Sequence, residues 1–116
     1  INDTTIRIYQ SAKVVREEVK QALAEIVRRK QELAGVVQDR ADRQQEIAQI
    51  SEEQTRIREN MSRLDRIGEL YSRYVKKFSQ QEDRIEALRD EIAGFQKKEI
   101  ELKKALDEYL MGLNIQ

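Results

Sequence analysis

From Tyr71 to Leu113 the chain places apolar side chains, interrupted only by Gln81 and Glu99, at alternating steps of three and four. The positions are Tyr71, Tyr74, Phe78, Gln81, Ile85, Leu88, Ile92, Phe95, Glu99, Leu102, Leu106, Tyr109 and Leu113. Steps of two would line one face of a strand, whereas steps of three and four fall on one stripe of an α-helix. A stripe that returns every seven residues, held this long, marks helices that pack along their length. Gly112 and Asn114 are residues that end helices.

A second stripe precedes it, through Ala12, Val15, Val19, Ala22, Ile26, Leu33, Val37, Ile47, Ile50, Ile57, Met61 and Leu64. Polar residues interrupt it near Lys30, Arg40, Gln44 and Gln54. Glu25–Arg29, Asp39–Arg43, Glu52–Arg56 and Glu59–Arg63 put the acid four residues before the base. That order supports a helix by about 0.2–0.5 kcal/mol per pair. Before Ser11, itself a candidate N-cap, the pattern is short. Asn2, Asp3, Thr4 and Thr5 are turn or capping types, so residues 1–11 read as a frayed end or a short separate helix. The expected layout is helix over 12–64, turn at 65–69, helix over 70–112 and a tail at 113–116.

The break rests on Asp65, which caps or turns, and Gly68, which tolerates positive φ. Two all-α architectures fit: a long antiparallel two-helix coiled-coil hairpin, or a single long helix in a parallel coiled-coil dimer. Folding back at 65–68 sets Met61 opposite Tyr74, Ile57 opposite Phe78 and Ile50 opposite Ile85. It also sets Leu33 opposite Leu102 and Ile26 opposite Tyr109. Gln54 then faces Gln81, a polar seam layer whose amides can bond each other and fix register. This match favours the hairpin, although Arg40 and Glu99 find no evident partners in it.

Charged residues make up 38% of the chain and aromatics 5%, which starves a wide globular core but suffices for a narrow seam. There is no proline to forbid a helix interior. Lys plus Arg equals Asp plus Glu at 22 each. That balance makes nucleic acid an unlikely partner, because such binders carry a basic footprint. No apolar run is long enough to be a transmembrane segment. A chain that starts on Ile1 reads as an excised fragment or a processed product of a longer protein.

In the hairpin, residues 1–18 project past the end of the second helix. The apolar stripe also widens away from the turn, where Leu23, Val27, Ala34 and Val36 join one helix and Ile100, Ala105, Leu110 and Met111 the other. Val27, Val36, Leu110 and Met111 are therefore the expected association surface, for a second copy or for the rest of a parent protein.

The stretches Glu53-Gln-Thr-Arg-Ile-Arg-Glu-Asn-Met61, Glu69-Leu-Tyr-Ser-Arg-Tyr-Val-Lys-Lys-Phe78 and Gln81-Glu-Asp-Arg-Ile-Glu-Ala-Leu88 carry a resemblance. They resemble the C-terminal helical region of the mucoidy-inhibitor-A-like family, bacterial proteins of unknown function. The likeness is clearest over 53–88 and fainter out to Ser11 and Leu113. It implies a longer parent with β-rich parts upstream. Family members often carry secretion signals, which would place that parent in the cell envelope. The likeness brings no catalytic residues, and Ile67-Gly68 stand where the family has a small polar pair.

The chain has no histidine and no cysteine, so carboxylates are its only common acid–base groups. Glu17-Glu18, Glu52-Glu53 and Glu82-Asp83 are neighbours in sequence, which on a helix point about 100° apart and do not converge on a substrate. The serines Ser51, Ser62, Ser72 and Ser79 have no base to activate them. The expectation is a chain that is not an enzyme and takes no cofactor or metal. Tyr71, Tyr74 and Phe78 beside Met61 and Leu64 read as an anchor for the fold-back, or in a sharper reading as a recognition tip. Residues 56–77 hold seven basic and three acidic side chains. Arg66, Arg73, Lys76 and Lys77 with Tyr71 are thus the candidate contact for an acidic protein or anionic surface. The function expected from sequence is a structural or oligomerisation module, with tip-mediated binding as the alternative.

Overall fold

The computed structural model describes residues 3–113. It contains two helices, α1 over Asp3–Met61 and α2 over Glu69–Gly112, and among the described residues no strand. They form an antiparallel hairpin. Contacts run backward along α1 as they run forward along α2. Asn60 meets Tyr74, Gln54 meets Glu82, Glu46 meets Arg84 and Arg40 meets Glu99. The continuous rod is therefore not the fold. The chain divides into two compact units, one over Val36–Glu99 and one pairing the described parts of 1–35 and 100–116.

Helix α1 starts at Asp3 and passes Ser11 without a break, so residues 3–11 belong to the main helix rather than to a separate one. No glycine or proline interrupts the run before Gly35, and Asp3 sits in the first turn, where its charge suits the helix dipole. The expected roles of Asn2 and Asn114, and the tail from 114 on, lie outside the described residues.

The connection spans 62–68, longer than expected and starting three residues earlier. Helix α1 ends at Met61 rather than Leu64 because its last bonds tighten. Ser62 N–H donates to Arg58 C=O (3.0 Å), Arg63 N–H to Asn60 C=O (3.1 Å) and Leu64 N–H to Met61 C=O (3.1 Å). The last two are the three-residue bonds with which helices often wind down. Asp65 then organises the turn twice over. Its carboxylate accepts from Ile67 N–H at 3.1 Å and its carbonyl accepts from Gly68 N–H at 3.0 Å. The Gly68 carbonyl takes the first bond of α2, from Ser72 N–H at 3.2 Å. No described residue has positive φ, so Gly68 does not use the left-handed freedom expected of it. Its need is space: a Cβ there would lie 3.3 Å from the Asp65 carbonyl oxygen.

In the unit over 36–99 the core is one seam. Ile57 and Leu88 are fully buried, and Val36, Ile85 and Gln54 nearly so. Each buried aliphatic side chain contributes about 1.5–3 kcal/mol. Near the turn the register is the expected one, to within a residue. Asn60 Nδ2 donates to Tyr74 Oη (3.2 Å), and the Arg58 guanidinium lies 5.9 Å from the Phe78 ring centroid.

Farther from the turn, two seam arginines decide the packing. Arg40 donates from Nε to Glu99 Oε2 at 3.1 Å, and the Arg43 guanidinium lies 5.3 Å from the Phe95 ring centroid. Facing positions alone do not reveal these partners. Helical side chains lean toward their own N-terminus, which in an antiparallel pair carries a long arginine one step along the other helix. Val36 is the remaining correction here. It is 6% exposed and belongs to the seam, not to an exposed flank, because the steps of three and four run through Leu33, Val36 and Arg40.

In the other unit, Leu106 is buried and the Arg29 guanidinium lies 5.0 Å from the Tyr109 ring centroid. Every residue from Asp3 to Gln21 is exposed, in keeping with an overhang of α1.

The Arg40–Glu99 pair is mostly buried, with 24% and 15% of the side chains exposed. Glu99→Ala alone should destabilise by about 1–3 kcal/mol, since it strands a poorly solvated guanidinium. Changing both residues to Leu should be neutral or stabilising. Urea unfolding of the three proteins distinguishes this from a pair that stabilises outright, for which the double variant would be the weaker fold.

Candidate functional site

The polar layer forms with different partners from those expected. Gln54 is buried, and its Nε2 donates to Glu82 Oε1 at 2.9 Å. Gln81 does not receive that bond, and its Oε1 is buried without a partner. An ionised carboxylate is a stronger acceptor than an amide oxygen, and Glu82 sits one residue away. The register places Gln54 near Gln81, but the chemistry selects the neighbour.

Salt bridges follow the same logic of local competition. Arg28 clasps Glu25 through Nε (3.0 Å) and Nη2 (2.7 Å). Arg29 Nε lies 2.9 Å from the same carboxylate, near enough for an ion pair but out of line for a hydrogen bond. Hydrogen bonding from Arg28 lowers the Glu25 pKa from its ordinary 4.5 to about 2, against a smaller opposing effect of burial. Glu53 bonds Arg56 on its own helix and Lys77 Nζ across the hairpin at 3.2 Å. Those bonds, Arg56 first, bring its pKa to about 2. Of the pairs expected at four-residue spacing, Glu25–Arg29 forms and Asp39–Arg43 stands at 4.0 Å. Arg56 takes Glu53 instead of Glu52. Arg63 lies beyond the end of α1, where a helical spacing to Glu59 no longer applies.

At the tip, the expected contact set is split. Lys77 is engaged by Glu53, and Tyr71 is half-buried. Arg66, Arg73 and Lys76 are exposed, as is Arg63, and these four form no ion pair or hydrogen bond among the described residues. At the apex Ile67 is 92% exposed.

At the base, Val27, Leu110 and Met111 are exposed as expected, with Leu23 and Ile100 beside them in type, whereas Val36 is not available. Stepping back from Ala22 by three and four, the seam continues through Val19, Val15, Ala12 and Ile8, all exposed, with Tyr9 and Val14 exposed next to it. No group of three or more metal-ligating side chains converges among the described residues. No described helix is long and apolar enough to cross a membrane.

Two outcomes follow. Gln81→Leu should stabilise the hairpin by about 1–3 kcal/mol, because it removes a buried acceptor that lacks a donor. Chemical denaturation checks it, and a loss of stability would mean that Gln81 is satisfied in solution. Glu25 and Glu53 have folded pKa values below the ordinary 4.5. The stability they contribute is complete above that value and drains as pH falls toward about 2. Glu53→Gln should flatten part of that acid dependence in thermal melts, and melts that superimpose on the parent's at every pH would contradict it. No family model, curated protein or solved structure matches this chain.

Proposed function

We propose that the chain is a non-catalytic coiled-coil module that joins copies of a larger protein through the base of its hairpin. The observation that carries this reading is the exposed continuation of the seam over Ile8, Ala12, Val15 and Val19. Helix α2 ends at Gly112, while Arg29 already packs on Tyr109. The first turns of α1 therefore repeat the seam pattern with no helix opposite among the described residues. Apolar surface removed from water stabilises association by about 25 cal/mol per Å², and a stripe of seam type is completed by another helix of seam type. Exposed Val27, Leu110 and Met111 extend the same apolar end. A bacterial parent, placed in the cell envelope, rests on the likeness of 53–88 to the mucoidy-inhibitor-A-like family.

Sedimentation equilibrium tests the reading. The chain should form a dimer or larger species. Val15→Lys with Val19→Lys should weaken it at least about tenfold, since each lysine would need desolvation at the contact. Val27→Lys with Leu110→Lys should weaken it less, and Gln45→Lys or Gln96→Lys should not change it. A monomer at the highest attainable concentration would remove the reading.

A further inference from the structure

We propose that the hairpin tip is an interfacial anchor for an anionic lipid surface. The argument begins with Ile67. Its backbone N–H is used by Asp65, but its side chain is 92% exposed and has nothing to pack against. The turn geometry asks only for the Asp65 acceptor and the small Gly68, so the fold gives no reason for an aliphatic group at the apex. Leu70 and Val75, in the first two turns of α2, are each nearly half exposed.

The surrounding charge is what remains after the hairpin's own needs are met. Arg56 and Lys77 serve Glu53, and Arg58 covers Phe78. Arg63, Arg66, Arg73 and Lys76 stay exposed and unengaged among the described residues. Against them stand Asp65, whose carboxylate holds the turn, Glu69 in the first turn of α2, and exposed Glu59 near the end of α1. The result is one protruding aliphatic side chain on a tip that carries four exposed, unengaged cations.

That combination fits lipid better than a protein partner. A turn between two helices is convex, and a protein would need a matching cavity to bury Ile67. A bilayer interface needs none: it admits an isolated aliphatic group below the headgroups and meets guanidinium groups with phosphates. Near an anionic bilayer each Lys or Arg is worth about fivefold in affinity. The attraction fades beyond a Debye length of about 8 Å at physiological salt. Four cations and one shallow insertion make a reversible contact that is strong at low salt and weak at high salt.

The test is co-sedimentation of the full chain with vesicles of phosphatidylcholine alone or mixed with phosphatidylglycerol, at about 0.05 M and about 0.5 M salt. Binding is expected only to the anionic vesicles and should be lost at the higher salt. Arg66→Glu with Arg73→Glu should weaken it by more than about tenfold. Ile67→Ser should weaken it severalfold while leaving its salt dependence and the helical circular dichroism unchanged. Lys13→Glu with Arg16→Glu, at the opposite end of α1, should leave binding intact. The proposal is overturned by equal binding to neutral vesicles, by no binding to anionic ones, or by tip variants that bind like the parent. Salt-sensitive capture by poly-glutamate without capture by vesicles overturns it too, in favour of an acidic protein. Because Val15→Lys with Val19→Lys acts at the base, vesicle binding and self-association fail independently.

Discussion

A hairpin of two helices has one seam, and everything else in this structure answers to that limit. A helix in a larger domain can bury a broad face against several neighbours. Here each helix has one partner, so burial is confined to the line where the two touch. Ile57 and Leu88 are fully enclosed, and most other seam residues are only half covered. So thin a core gives weak discrimination between one register and the next. Apolar layers of similar size could slide past each other with little change in buried area.

The polar contacts supply the missing discrimination. Arg40 meets Glu99, Arg43 covers Phe95, Arg29 covers Tyr109, and Gln54 bonds Glu82. A shift of one heptad would separate these partners and strand partly desolvated charges, at a cost of about 1–3 kcal/mol for Arg40–Glu99 and less for the more exposed contacts. The exposed pairs differ in kind. Arg84–Glu46 and Lys77–Glu53 cross the hairpin, but exposed ion pairs contribute about 0–1 kcal/mol and are screened by salt. Register depends on the half-buried set, and surface charge adds solubility around it.

The fold was legible because periodicity is a global signal. Twelve seam positions of α2, with Leu113 after it, keep the alternation of three and four throughout, and no local irregularity hides that. The facing pairs near the turn were also legible, since short side chains meet what lies opposite them. Four things were not. The early end of α1 depends on backbone bonds around Asn60 and Met61 that composition does not advertise. The partners of Arg40 and Gln54 depend on side-chain reach and on acceptor strength, which position alone leaves open. Val36 was misplaced because the stripe was carried through Val37, one residue off the step that Leu33 and Arg40 define. At the tip, the cations were visible in sequence but Ile67 was not, because exposure at a turn is set by the path of the chain.

The unbroken alternation of three and four has a consequence for how such a chain can change length over generations. Inserting or deleting one residue within either helix would rotate every later side chain by about 100° about the axis. The seam beyond that point would then face solvent. Gains or losses of whole heptads keep the stripe aligned with the least change in winding, and a heptad added to one helix finds no cover until the other gains one as well. Length variation should therefore concentrate in the connection over 62–68 and in the uncovered first turns of α1. Elsewhere the arms can lengthen or shorten only in matched steps, like the teeth of a ratchet.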